Sequence, residues 1–256
     1  DVISPSVSTG LEHVTDGWGI GASFLIDVVT AASVDIVATA SPRWREIRYV
    51  PAINGHVKVE DFDIAINGNL SHEPDYISAG GGVTLTGEFR QKTVVPSLGY
   101  SYSRDINGKA QTPFDLFGKP LNRHGVNAGL GIVLTKATFG SGAFTFVHED
   151  GDTSKPYRHI PLFSPEAAAR IQNGTTIDDV NAVREPERPL EQLPVERQRY
   201  ALALGLAHRF SDSTLRISER LYIDSWGTKA STTDFRFLYD VLKEFLSRGT
   251  YIFPPE

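Results

Sequence analysis

The chain has 256 residues, no cysteine, no methionine and a formal net charge of −6. The missing thiols exclude disulfide scaffolds, thiolate zinc sites and iron–sulfur clusters, and the acidic balance argues against a nucleic-acid binder. Hydrophobic residues make up 40%, enough for a folded protein, yet no run approaches the roughly eighteen apolar residues of a transmembrane helix. The start at Asp1, without Met, leads us to expect a processed or truncated chain; signal-peptide removal would fit export.

In chain order, the dominant signal is alternation with period two. Phe62, Ile64, Ile66 and Leu70 alternate with Asp63, Asn67, Asn69 and Ser71. Val83, Leu85 and Phe89 alternate with Thr84, Thr86, Glu88 and Arg90. Leu98, Tyr100 and Tyr102 alternate with serines and Gly99. Val126 to Leu134 and Leu215 to Ile223 repeat the pattern. From Tyr200 to Phe210 the even positions are large and the odd positions are Ala, Gly or Arg. A strand sends successive side chains to opposite faces, so each segment is a strand between two unlike environments.

About eleven such strands are expected, many of ten residues or more. Soluble strands average about five or six residues, whereas a bilayer needs about 9–11. The non-apolar face mixes Gly, Ala and Ser with Asp, Glu, Arg and Asn, which suits a polar lumen. A soluble β-sandwich, the alternative, would have shorter strands and more Lys, Glu and Thr outside. The sequence therefore predicts one all-β domain over 1–256: a membrane-spanning antiparallel up-and-down β-barrel of an outer membrane, in contact with lipid and lipopolysaccharide.

Connections alternate in length. Short ones are expected near Asp16-Gly17, Glu60-Asp61, Gln91-Lys92, Phe139-Gly140, Ser211-Asp212 and Arg248-Gly249; longer ones at 30–42, 72–79, 105–122, 150–194 and 225–231. That is the pattern of short periplasmic turns and longer extracellular loops. Loop parity also predicts that the barrel is incomplete at both ends, and Phe253-Pro254-Pro255-Glu256 carries no terminal assembly signal. Trp18, Tyr100, Tyr102, Tyr200, Phe210 and Trp226 fall near strand ends, as interfacial aromatics should. Tyr200 and Phe210 would stand roughly 23–25 Å apart along the membrane normal. In 150–194, Ser164-Pro165-Glu166 and Thr176 are helix starts, so this loop should carry short helices as a plug, a cap or a docking element.

Three stretches carry a resemblance: Asp27 to Asp35 with Ala40-Ser41-Pro42 and Glu46-Ile47-Arg48, then Ser71 to Ser78, then Leu221 to Gly227. Together they resemble an uncharacterised family of bacterial outer-membrane barrels. The resemblance implies a barrel with further strands on both sides, an outer-membrane location and no established activity.

Two charged groups could carry chemistry. Asp27, Asp35, Glu46, Arg48, Glu73 and Asp75 should converge near one mouth. They read as a calcium site, a charged selectivity ring or a bracing ion-pair network. Arg199, Arg209, Arg216, Arg220, Tyr222 and Asp224 form a lumen basic cluster, set to filter solutes or to close a narrow barrel by ion pairing. Glu149-Asp150-Gly151-Asp152-Thr153 lacks the Gly and Glu spacing of a calcium loop and reads as a polar turn. No catalytic residues and no cofactor beyond calcium are expected.

The leading functional expectation is a channel for small polar solutes. The alternative is a scaffold barrel partnering a lipoprotein or periplasmic protein in an envelope complex. A lipid hydrolase is a remote third reading, because His208 and His13 lack a supporting Ser and orienter in sequence.

Overall fold

The computed structural model describes residues 2–29, 46–153, 158–187 and 189–240. The strands are β1 (Val2–Ile3), β2 (Ser6–His13), β3 (Trp18–Val29), β4 (Glu46–Val59), β5 (Phe62–Glu73) and β6 (Tyr76–Gly87). They continue as β7 (Val94–Asn107), β8 (Lys119–Thr135), β9 (Thr138–Gly151), β10 (Glu196–Arg209), β11 (Ser213–Asp224) and β12 (Lys229–Tyr239). All join one 12-stranded sheet in which each long strand pairs with its neighbour in sequence.

β1 and β2 both pair with β3 in one register, Val2 opposite Val29 and Ser6 opposite Leu25. They are two pieces of a single strand interrupted at Ser4-Pro5, so the wall has the eleven lines the sequence predicts. Among the described residues no ladder joins β12 back to β2, so they form a continuous barrel wall with two edges.

Burial is inverted relative to a soluble protein. Leu121, 3% exposed, is the one buried hydrophobic residue among those described. Leu202, Leu204 and Leu206 are exposed in a row on β10, as are Ile64 and Ile66 on β5. No second layer covers them, which excludes the sandwich: this face meets lipid. The ladders fix the opposite face, because directly paired residues share a side. Ser101, Gly125 and Val147 lie in one such row, and Ser97 and Gly129 in another.

Several turns move from their expected places. Phe139-Gly140 lies inside β9, and the tight turn is at Lys136-Ala137, where Ala137 N–H donates to Thr135 Oγ1 at 3.2 Å. The expected long loop 72–79 shrinks to Pro74-Asp75, because pairing persists to Glu73 opposite Tyr76. Polar side chains that face a lumen look like loop in sequence. The connection at 225–231 shortens to residues 225–228. The longer loops at that rim are 108–118 and 152–195. The expected loop 30–42, the Arg248-Gly249 turn and the Phe253–Glu256 end lie outside the described residues.

Within 152–195, α1 (Pro165–Arg170) and α2 (Ile177–Ala182) form at the expected starts. Ser164 Oγ accepts from Ala167 N–H at 3.1 Å and Thr176 Oγ1 from Asp179 N–H at 3.2 Å, satisfying first-turn donors. The segment closes on itself through Ile160 N–H to Pro189 O and Glu185 N–H to Leu162 O. Neither helix has a buried residue.

Candidate functional site

The lumen face of the wall carries most of the charges of the strands. At the long-loop rim, Asp27 on β3 faces Arg48 on β4. Arg48 Nε and Nη2 both donate to Asp27 Oδ2, at 2.9 and 2.5 Å. Glu46 opens β4, Glu73 ends β5 and Asp75 sits in the shortened turn. Their ligand atoms all lie within 4.8 Å of one another. Arg48 Nε is 4.0 Å from Glu73 Oε1 and already serves Asp27. Three carboxylates therefore share less than one cation. Like charges this close favour a shared proton or a hard cation. Calcium takes about 6–8 oxygens, so one oxygen from each would fill only part of its shell. Of the expected rim group, Asp35 lies outside the described residues.

A second network runs across β6 to β11. Asp105, with no exposed surface, accepts from Ser78 Oγ at 2.7 Å and pairs with Arg123 Nη1 at 2.5 Å. Arg123 Nε donates to Glu149 Oε1 at 2.9 Å, and Arg199 Nη2 donates to the same oxygen at 2.7 Å. Arg197 Nη2 donates to Asp224 Oδ2 at 2.5 Å. Tyr222 Oη donates to that oxygen too, at 3.0 Å. The other Asp224 oxygen accepts from Trp226 and Thr228 N–H, which pins the β11–β12 turn.

The expected basic cluster therefore separates. Arg199 turns to Glu149, while Arg197, unread in the sequence, takes Asp224. Arg209 lies ten positions along β10 from Arg199, about 33 Å, and pairs with Asp240. Arg216 and Arg220 stand between, opposite Ala207 and Ala203 on β10. Neither has an ion pair or side-chain hydrogen bond among the described residues. A strand's length keeps these cations in separate rows, although all share one face.

Asp105, Arg123, Glu149 and Arg197 were legible only by parity. Asp105 continues Ser97 to Ser103, and Glu149 falls on the lumen side of β9, which runs to Gly151 rather than ending in a polar turn. Between these groups is a hollow of about 290 Å³, lined by Asn67, Asn69, Ser101, Ser103, Arg123 and Arg199.

Of the expected belt aromatics, Tyr200 packs on Phe146 at 5.0 Å between ring centroids, and Tyr102 on His124 at 4.9 Å. Tyr100 Oη is 2.7 Å from His124 Nδ1, Trp18 stacks on His13, and Phe210 meets His208 edge-on. Trp226 differs. Its ring lies 4.3 Å from the Arg197 guanidinium, on the lumen side of the rim, and its Nε1 donates to Glu196 O.

No family model and no curated protein matches the chain. Solved structures do match. The siderophore receptor PirA from Acinetobacter baumannii gives a TM-score of 0.55 at 8% identity, covering 94% of this chain and 38% of that one. The outer membrane transporter YddB from Escherichia coli gives 0.52 at 9% identity, covering 95% and 36%. This chain is an outer-membrane β-barrel wall. It spans well under half the length of either neighbour, and at these identities the likeness is one of fold. The barrel fold and the lipid-facing apolar band place it in an outer membrane.

Proposed function

We propose that the chain forms part of the wall of a channel or transport pore for small polar solutes. The observation that carries this reading is the lumen face, where Arg216 and Arg220 have no ion pair among the described residues; alanines flank them on β10, and Arg236 and Thr232 on β12. At the long-loop rim, Glu46, Glu73 and Asp75 outnumber Arg48. Unbalanced charge along a lumen filters polar solutes by sign. Membership of the uncharacterised barrel family that the three stretches resemble belongs to the same proposal. So does the absence of a catalytic role: His208 Nδ1 is 2.8 Å from Thr138 Oγ1, and among the described residues no serine is bonded to it.

The test is planar-bilayer conductance of the complete protein. We expect discrete conductance steps whose reversal potential under a salt gradient shifts towards cation preference in Arg216→Glu/Arg220→Glu. Absence of conductance would sink the channel reading and leave the scaffold alternative, whose signature is a co-purifying lipoprotein or periplasmic partner.

A further inference from the structure

One side chain breaks the apolar face. Glu219 on β11 pairs directly with Leu204 on β10 and Thr233 on β12, so it shares the lipid-facing side with Leu204. It lies midway along its strand, level with the stretch between Tyr200 and Phe210. Its same-face neighbours on β11, Ile217 and Leu221, are exposed and apolar, as is Phe235 on β12. Arg104, Asp150, Glu196 and Lys229, the other Asp, Glu, Lys or Arg side chains on this face of the described strands, sit towards strand ends at the long-loop rim.

The carboxylate is built in. Ser231 Oγ donates to one oxygen and Thr233 Oγ1 to the other, each at 2.5 Å. Each hydroxyl spends its single proton on Glu219. What faces outward is therefore acceptor only: carboxylate lone pairs and two hydroxyl oxygens. Hydrocarbon offers no donor, and an ionisable group at this depth is costly unless partnered. The row also has low relief. Gly142, opposite Leu204 on the lipid face of β9, would meet only Leu204 if it had a Cβ, so a second segment could approach closely.

We infer that Glu219, Ser231 and Thr233 form a docking site for a membrane-embedded segment of a different protein, one that presents a cationic side chain at mid-bilayer depth. A second copy fits poorly. It would bring carboxylate to carboxylate, and the described lipid face holds no Lys or Arg at that level. This inference is independent of whether the lumen conducts.

The test is photocrosslinking in intact cells of the source organism, with the full-length protein. A benzophenone amino acid replaces Leu221, and a control replaces Leu98 on the same face far from the patch. We expect a discrete protein adduct from position 221 and none from 98. That adduct should be lost in Glu219→Gln and Glu219→Leu, retained in Glu219→Asp, and map to a partner peptide bearing Arg or Lys within an apolar stretch. Heat-modifiable gel migration confirms that each variant is folded. Lipid-only adducts at both positions, an adduct between two copies, or an adduct indifferent to Glu219 would each overturn the inference.

Discussion

Arg123 holds Nη1 2.5 Å from Oδ2 of Asp105, and Asp105 is the largest fully buried side chain among the described residues. The pair spans adjacent strands, and through Glu149 it ties β7, β8 and β9 together and reaches Arg199 on β10.

Removing one partner from such a pair leaves a buried charge without compensation. We expect Arg123→Ala to destabilise the wall by about 3–5 kcal/mol. Arg123→Met combined with Asp105→Leu should cost much less, since no charge is then stranded. Urea unfolding in detergent micelles checks both.

The rim carboxylates should respond to charge removal with a sign that depends on calcium. In calcium-free buffer, Glu73→Gln relieves repulsion with Glu46 and Asp75 and should stabilise the rim by about 0.5–1 kcal/mol. If calcium fills the site, millimolar calcium should raise the melting temperature of the parent chain and not of Glu73→Gln. A melt that ignores both calcium and the substitution would reduce the group to an inert cluster.

Glu88 lies in the turn after β6, with Lys58 bonded to its carboxyl and Lys92 Nζ 3.1 Å away. The bond from Lys58, then that from Lys92, hold its pKa below the ordinary 4.5. A depressed folded value means that this contribution is fully present above about pH 4.5 and is lost as pH falls through the lowered value. Carbon-13 titration of the Glu88 carboxyl should show that depressed midpoint. Lys58→Met should move it up towards 4.5.

Gly151 closes β9 at φ 129°, and a Cβ there would stand 2.3 Å from Pro120 O. Both the dihedral and the backbone contact oppose a side chain. Gly151→Ala should cost about 1–3 kcal/mol, seen as a lowered unfolding midpoint. Gly174, also at positive φ but with nothing within 4 Å, should tolerate alanine better.

Much of this wall was legible beforehand. Leu202, Leu204 and Leu206 announced a lipid face because each lies two residues from the next, and the lumen character of Arg199 and Asp224 followed from the same parity. The long loop expected at 72–79 failed for a related reason: His72, Glu73 and Ser78 are polar because strands end near a watery rim, not because pairing stops. Glu219 already falls on the apolar parity of Leu215, Ile217, Leu221 and Ile223, and its register with Leu204 and Thr233 places it on the outward face.

By itself, then, the sequence determined the eleven or so strand lines of this stretch, their length, the two faces, the helix caps in the long loop and the membrane-barrel class. These are local properties, set by a two-residue repeat and by turn chemistry. Only the tertiary structure decided which charge meets which. Arg197 rather than Arg199 binds Asp224, Arg123 binds both Asp105 and Glu149, and Glu46 meets Glu73 and Asp75. Those meetings depend on the register between strands up to fifty residues apart in sequence, as Glu149 and Arg199 are, and no single segment encodes that register.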